Sequence, residues 1–379
     1  MQWLDKVKTP SYIIDEAKLE TNLEILAKLQ QETDAKVLLA QKAFSCYYYY
    51  PLIAKYLSGF ASSGLFELKL AAEYGKGKEQ HIFSPAYQTA DIQEISELAD
   101  HLVFNSAWQW EQFRSSLQGK ECGLRINPEH STQDKAIYDP CSPCSRLGIK
   151  LEELEEALRR DNNFLDGISG LHFHTLCEQG AEPLAATLAV VEAKFGKYLS
   201  QLKWLNLGGG HHITKAGYNL TLLKSLIKGL QAKYQLEIYL EPGEAIALDA
   251  GYLVASVVDI LEREPRIAIL DTSAACHMPD VIEMPYRPPL LHSYEPQEAE
   301  YTYLLGGPTC LSGDLIGEYS FHKPLAIGDK LVFQDMAIYT MVKNNTFNGM
   351  PLPSILGLTK EQELKVIKNF TYDNFKCRL

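Results

Sequence analysis

The chain has 379 residues, 46% of them hydrophobic and 22% charged, with a formal net charge of −12. That length holds one large domain plus a smaller one, and the acidic balance argues against a nucleic-acid partner, which needs a basic footprint. No apolar run is long enough to cross a bilayer, and Met1–Lys6 lacks the basic and apolar segments of a secretory signal, so a cytoplasmic location is expected.

In chain order, Ser11–Ile14 reads as a short strand, and Leu19, Leu23, Leu26 and Leu29 recur at helical spacing. Val37-Leu38-Leu39-Ala40 then reads as a strand buried on both faces, with Lys42 at its end. The same strand-then-helix unit repeats. Later strand candidates are Gly59–Ser63, His81–Ser84, Leu102–Asn105, Gly123–Asn127, Gly170–His174, Trp204–Leu207 and Glu237–Leu240, with a long loop after the one ending at Asn127. Eight apolar strands alternating with helices predict a (β/α)8 TIM-like barrel over residues 14–250, with a doubly wound open sheet as the alternative. After Gly251 the pattern changes. Tyr252–Val258, Ile267–Leu270, Tyr301–Leu304, Lys330–Phe333 and Ala337–Thr340 read as strands with few helices between them. Residues 251–379, joined by residues 1–13, therefore predict a mostly antiparallel β domain, interrupted by the Pro-rich, acidic loop Pro279–Glu300. Cys141-Ser142-Pro143-Cys144 is a single CxxC without a second half, read as a loop of reduced thiols, and no metal is expected.

In such a barrel the chemistry collects at the C-terminal strand ends. The polar residues there are Lys42, Ser63, Ser84, Asn127, His172 with His174, Gly208-Gly209-Gly210 and Glu241. Lys42 either points into water or is a buried amine whose lowered pKa lets it form a Schiff base with an aldehyde. Gly208 to Gly210 are either a tight turn or bare backbone closing on a phosphate. Glu241 is either in a surface turn or holds a ring nitrogen protonated. His174 is either a core histidine or lies flat on an aromatic cofactor. Together these groups meet the needs of pyridoxal 5′-phosphate.

Longer motifs run from about residue 10 to 350: Ala40-Gln41-Lys42-Ala43, Gly170–Glu178, Leu207–Gly210, Glu241-Pro242-Gly243-Glu244-Ala245, His277–Pro288, Gly307-Pro308-Thr309-Cys310–Asp314, Asp335–Thr340 and Phe347-Asn348-Gly349. On these the chain resembles the fold type III (alanine-racemase-fold) PLP decarboxylases, the group of ornithine, arginine and diaminopimelate decarboxylases. Within it, the chain is similar to the branch acting on carboxynorspermidine and carboxyspermidine. The resemblance implies Lys42 as the Schiff-base lysine, His174 stacked on the cofactor ring, and Gly208, Gly209 and Gly210 on its phosphate with Tyr339. It implies Glu241 on the ring nitrogen and Cys310 as the proton donor to the α-carbon. It also implies a homodimer in which the β-domain cysteine crosses the interface.

Two departures bear on the substrate. Where ornithine and diaminopimelate decarboxylases carry a phosphate-binding Arg, this chain has Glu244, and the usual acidic residue after the catalytic Cys is Leu311. A carboxylate cannot replace that Arg beside a dianion, but it can pair with an ammonium. The resemblance matches Glu244 and Asp280 to acidic contacts of that branch, and with His277 they are expected to line the site of a cationic amino acid substrate. Cys177 replaces a phosphate-contacting Ser of the group, and Glu283 and Arg287 read equally well as loop ion pairs. The alternatives are a decarboxylase of another basic amino acid, a racemase on the same barrel, and a non-catalytic PLP- or polyamine-binding protein.

Overall fold

The computed structural model describes residues 1–133 and 138–379, so part of the long loop expected after the fifth barrel strand lies outside the described residues. Two compact units are formed, one by Met1–Thr21 with Ala247–Leu379 and one by Asn22–Ile246.

The chain opens on β1 (Ser11–Asp15), buried along its whole length, and α1 (Glu16–Thr33). Asp15 Oδ1 starts the helix by accepting from the backbone N–H groups of Ala17 at 3.1 Å and Lys18 at 3.2 Å. Leu19, Leu23, Leu26 and Leu29 are all buried, as their spacing requires of one apolar face.

Eight parallel strands follow: β2 (Lys36–Ala40), β3 (Gly59–Ser62), β4 (Glu79–Phe83), β5 (His101–Phe104), β6 (Glu121–Arg125), β7 (Ile168–His172), β8 (Trp204–Asn206) and β9 (Glu237–Leu240). They close into a barrel, with Lys36 opposite Tyr239 and Val37 opposite Leu240 across the seam. The helices α2 (Tyr50–Tyr56), α3 (Leu65–Tyr74), α4 (Ile92–Leu98), α5 (Ala107–Phe113), α6 (Leu151–Arg160), α7 (Ala181–Leu199) and α8 (Leu220–Tyr234) alternate with them. The closed barrel is thus present, and the open sheet is not. Leu38, Ala61, Val103, Trp204 and Tyr239 fill its interior. Trp204 uses room left by two bare backbones: a Cβ on Gly170 would fall 2.0 Å from the indole, and one on Gly123 2.3 Å from it.

Two strands begin earlier than their apolar runs, β4 at Glu79 and β6 at Glu121. Ion pairs satisfy the charges at those ends: Lys36 Nζ lies 2.5 Å from Glu79 Oε1, and Lys203 Nζ lies 2.5 Å from Glu121 Oε1. An apolar pattern does not register such positions.

After the barrel come the short helix α9 (Glu244–Ala247) and the strands β10 (Gly251–Leu261) and β11 (Arg266–Leu270). Two further short helices, α10 (Ala274–His277) and α11 (Asp280–Glu283), precede β12 (Tyr301–Gly306), β13 (Leu315–Phe321) and β14 (Lys330–Gln334). The short helix α12 (Thr340–Lys343) and the strands β15 (Ser354–Leu358) and β16 (Leu364–Lys368) follow. The sheet order is β13-β12-β11-β10-β1-β15-β16, with β14 on β10. The N-terminal strand β1 is central, antiparallel to β10 and parallel to β15. Only β11–β12 is also parallel among the described pairs, so the sheet is mostly antiparallel, as expected. Tyr12, Leu253, Tyr303, Tyr319 and Phe333 lie in its core.

One expected strand is absent. Residues 337–340 form a bend leading into α12, because Asp335 (φ 56°) and Tyr339 (φ 48°) leave the extended region. Among the described residues, no helix is long and apolar enough to cross a membrane.

Candidate active site

The turn after β2 carries Lys42 and is held from several sides. Gln41 Nε2 donates to Ser62 Oγ at 2.7 Å, Tyr50 Oη donates to Gln41 Oε1 at 2.8 Å, and the Gln41 N–H donates to Ala61 O at 3.0 Å. Lys42 keeps partial access to solvent, but it has no hydrogen-bond or ion-pair partner among the described residues. Burial holds its pKa below the usual lysine value, and the nearby Arg125 guanidinium adds to this, with Glu241 opposing. Of the two readings of Lys42, the enclosed amine is the one the geometry favours.

Arg125, at the end of β6, donates from Nη2 to His174 O at 3.2 Å, and its guanidinium lies 4.6 Å from the Phe83 ring centre. Burial lowers its pKa to about 10, so it stays cationic. It was not singled out from sequence, although its position matches that of Lys42: a cation closing an apolar strand.

Glu241 follows β9. Its Oε1 accepts from Asn206 Nδ2 at 2.7 Å, and its Oε2 lies 3.3 Å from His172 Nε2. Burial pushes its carboxyl up, but His172, His81 and Asn206 outweigh that and hold it at about 2. Burial holds the pKa of His172 below the usual histidine range, with Glu241 opposing. His174 is driven well below the ordinary histidine range by burial and then by Lys42 and Arg125. Its Nδ1 accepts from Gly209 N–H at 3.1 Å. Asn206 is a further residue the sequence reading passed over, again a polar group closing a strand.

The turn after β8 needs bare backbone. Gly208 (φ 69°) and Gly210 (φ 79°) are left-handed, and a Cβ on them would fall 2.2 Å from Phe173 O and 2.0 Å from Leu176 O. The N–H groups of Gly210 and His211 donate to no acceptor among the described residues. That is the state of an anion-binding turn. Glu244, at the start of α9, lies 3.2 Å from His212 Nε2 through its Oε2. Lys42, His174, Gly208 to Gly210 and Glu241 are therefore gathered at the C-terminal ends of the barrel strands, with Glu244 beside them. Asn127 instead pins its own loop, donating from Nδ2 to Leu147 O at 3.2 Å and accepting the Glu129 N–H on Oδ1 at 2.8 Å.

The remaining candidates belong to the sheet unit. Cys310 is exposed in the turn between β12 and β13, and its N–H donates to Asn348 Oδ1 at 2.7 Å. Buried Asp314 organises that turn. Its Oδ1 accepts from Ser273 Oγ at 2.9 Å and Ala275 N–H at 3.1 Å, and its Oδ2 from Thr309 Oγ1 at 2.7 Å and Thr309 N–H at 3.3 Å. His277 is fully buried with both ring nitrogens engaged: Nδ1 lies 2.9 Å from Thr272 Oγ1, and Nε2 lies 3.0 Å from Pro351 O. Asp280 is ion-paired to Lys343 at 2.5 Å, and Lys343 also pairs with Glu283. Arg287 pairs with Glu295 and donates from Nη1 to Glu318 O at 2.9 Å. Tyr339 stands at the left-handed residue before α12. All eight cysteines, Cys141 and Cys144 among them, are free.

A family model described as "Pyridoxal-dependent decarboxylase, C-terminal sheet domain" matches residues 11–337. The chain is 47% identical to the carboxynorspermidine/carboxyspermidine decarboxylase of Campylobacter jejuni, over 99% of both chains. It is 40% identical to the carboxyaminopropylagmatine decarboxylase of Synechocystis, over 99% of this chain and 96% of that one. Its fold is similar to the crystal structure of the Campylobacter jejuni carboxynorspermidine decarboxylase complexed with norspermidine, with a TM-score of 0.91 and 46% identity over 98% of this chain and 100% of that one. The chain therefore belongs to the pyridoxal-dependent decarboxylases, enzymes whose cofactor is pyridoxal 5′-phosphate.

Proposed function

We propose that this enzyme decarboxylates carboxynorspermidine or carboxyspermidine, giving norspermidine or spermidine in polyamine biosynthesis. The observation that carries this reading is the 47% identity, end to end, with a relative named for both substrates. A cytoplasmic homodimer, with Cys310 of each protomer serving the site of the other, completes the proposal. It is supported by the resemblance and by the exposure of Cys310 on its turn.

The residues present fit the cofactor. Among the described residues, an enclosed amine without an ion pair, a carboxylate held ionised, and two unpaired N–H groups on a glycine turn match an aldehyde, a ring nitrogen and a phosphate. Bound pyridoxal phosphate supplies an electron sink for the pair left on the α-carbon when CO2 departs. Lys42 would hold the cofactor through Nζ at its aldehyde carbon, and burial, which lowers the pKa of this amine, favours its uncharged form. Glu241 keeps a proton on the ring nitrogen by charge pairing. Neutral His174 covers the ring face. Gly208, Gly209 and Gly210, with Tyr339, hold the phosphate. Cys310 Sγ gives the proton that replaces CO2 on the α-carbon.

The substrate's extra ammonium groups call for carboxylates when they leave water. Glu244 supplies one. Asp280 supplies the other by exchanging its pairing with Lys343 for a substrate ammonium. His277, with both nitrogens engaged, fits a part in holding its loop better than a direct contact. A second reading, a carboxyaminopropylagmatine decarboxylase, is favoured by the 40% identity to the Synechocystis enzyme.

The test is CO2 release from a panel of carboxynorspermidine, carboxyspermidine, carboxyaminopropylagmatine, meso-diaminopimelate, ornithine and arginine. The two carboxytriamines should differ from each other by no more than about 10–200-fold, since one methylene is worth about 1–3 kcal/mol, and both should exceed the three amino acids in kcat/KM. A preference for meso-diaminopimelate, ornithine or arginine would overturn the assignment.

A further inference from the structure

One buried side chain next to the glycine turn has no part in the chemistry above. His212 follows Gly210 by two residues, and its side chain is only 8% exposed. Its backbone is fixed by a two-sided pairing: Gln179 N–H donates to Gly210 O at 3.0 Å, and His212 N–H donates to Gln179 O at 3.1 Å. On the ring, Nε2 meets Glu244 Oε2 at 3.2 Å. Thr214 Oγ1, two residues on, donates to Ala245 O at 2.7 Å and ties this stretch to α9. The other ring nitrogen, Nδ1, is buried and has no hydrogen-bond partner among the described residues. A buried polar atom left bare beside an anion-binding turn calls for an explanation, and a ligand is one.

The neighbouring His211 is a useful contrast. Its Nδ1 is also bare among the described residues, but its Nε2 lies 3.3 Å from Leu207 O rather than against a carboxylate. Burial lowers its pKa to about 4. A neutral ring giving its one proton to a carbonyl has only a lone pair at Nδ1, which repels an anion. The His212 ring faces a carboxylate, and an imidazole carrying both protons donates one to Glu244 and one to an incoming anion. The charge balance agrees. Glu244 beside a phosphate would repel it unless a cation stood between them. Burial and the neighbouring Glu244 both push the carboxyl of Glu178, which hydrogen-bonds to Glu244, above the usual carboxylate range.

We propose that His212 holds the coenzyme phosphate through Nδ1–H, with Glu244 acting as a positioning residue that fixes the ring from the Nε2 side. This rests on the reading of Gly208 to Gly210 as the phosphate turn. It also gives Glu244 a place beside the phosphate that the carboxylate could not occupy alone.

The test compares two ligands that differ only in the phosphate. The full-length chain, stripped of coenzyme, is titrated with pyridoxal 5′-phosphate and with pyridoxal, and binding is read by absorbance and by quenching of tryptophan fluorescence. His212→Gln should weaken pyridoxal phosphate by about ten- to a hundredfold and leave pyridoxal unchanged. His212→Lys, which keeps a cation, should retain most of the preference for the phosphate ester. Glu244→Gln keeps an acceptor for Nε2–H and should lose less than His212→Gln. The proposal is overturned if His212→Gln keeps the wild-type ratio of the two affinities, or weakens both ligands equally. Should the glutamine variant not fold, His212→Asn is judged by the same ratio. A wild-type chain that binds both ligands equally would instead remove the phosphate reading of the glycine turn itself.

Discussion

At the scale of single residues, the site is a balance of buried charges. Lys42 and Arg125 face Glu241, and burial lowers the pKa values of His172 and His174 around them. The arrangement has a cost that can be measured. An amine whose pKa is lowered in the fold binds its proton more weakly there than in the unfolded chain. Folding therefore works against the charged form: the penalty is full below the lowered pKa and fades as pH rises toward the ordinary lysine value of 10.5. Lys42→Met removes the charge and keeps most of the volume. The variant without coenzyme should melt at a higher temperature than the wild type without coenzyme at pH 7, and the gain should shrink by pH 10. An equal gain at both values, or a loss at pH 7, would mean that Lys42 is not carrying a burial penalty.

At the scale of elements, the turn between β12 and β13 is built around one carboxylate. Asp314 is 3% exposed and accepts four hydrogen bonds, two of them from Thr309, next to Cys310. The Gly307 backbone lies so close that a Cβ there would fall 2.2 Å from Asp314 Oδ2. Asp314→Ala would leave buried donors unmet and should cost about 3 kcal/mol of stability, read by urea unfolding. Asp314→Asn keeps one acceptor oxygen and should fold. It should lower kcat by on the order of ten- to a hundredfold, because Cys310 loses its fixed position, with coenzyme absorbance unchanged. A normal kcat in the asparagine variant would separate the turn's order from the reaction. The motif from Gly307 to Asp314 was legible in the sequence, but the part of Asp314 as its anchor was not, since the donors Ser273 and Ala275 lie about forty residues away. The same contrast runs through the fold. The apolar strands β2 to β9 announced a barrel by their alternation with helices. The starts of β4 and β6 were hidden because Glu79 and Glu121 are satisfied by lysines distant in sequence. Ala337–Thr340 looked like a strand from its side chains, whereas the left-handed backbone at Asp335 and Tyr339 breaks it. Lys42 and Glu241 were found because each closes an apolar strand in a recognisable motif. Arg125 and Asn206 close strands equally well but lie outside any such motif, and His212 was hidden behind the glycines that precede it.

At the scale of the whole molecule, the proposal that Cys310 serves the partner's site has a consequence that no single-chain variant can test. Lys42→Ala alone and Cys310→Ala alone should both be inactive or nearly so. In a hybrid dimer of the two, one site would combine the intact Lys42 of one protomer with the intact Cys310 of the other, and the second site would have neither. Dissociating and reassociating an equal mixture gives about half hybrids, so about a quarter of wild-type activity should return. If Cys310 acted within its own chain, each site of the hybrid would lack one of the two groups, and mixing would restore nothing. Sedimentation of the wild-type protein over a dilution series should show a dimer at the concentrations used. Activity that returns on mixing and disappears when the subunits are covalently linked before mixing would place the exchange at the subunit interface. A pair of variants that stays inactive after verified subunit exchange would return the proton donor to the chain that carries the lysine.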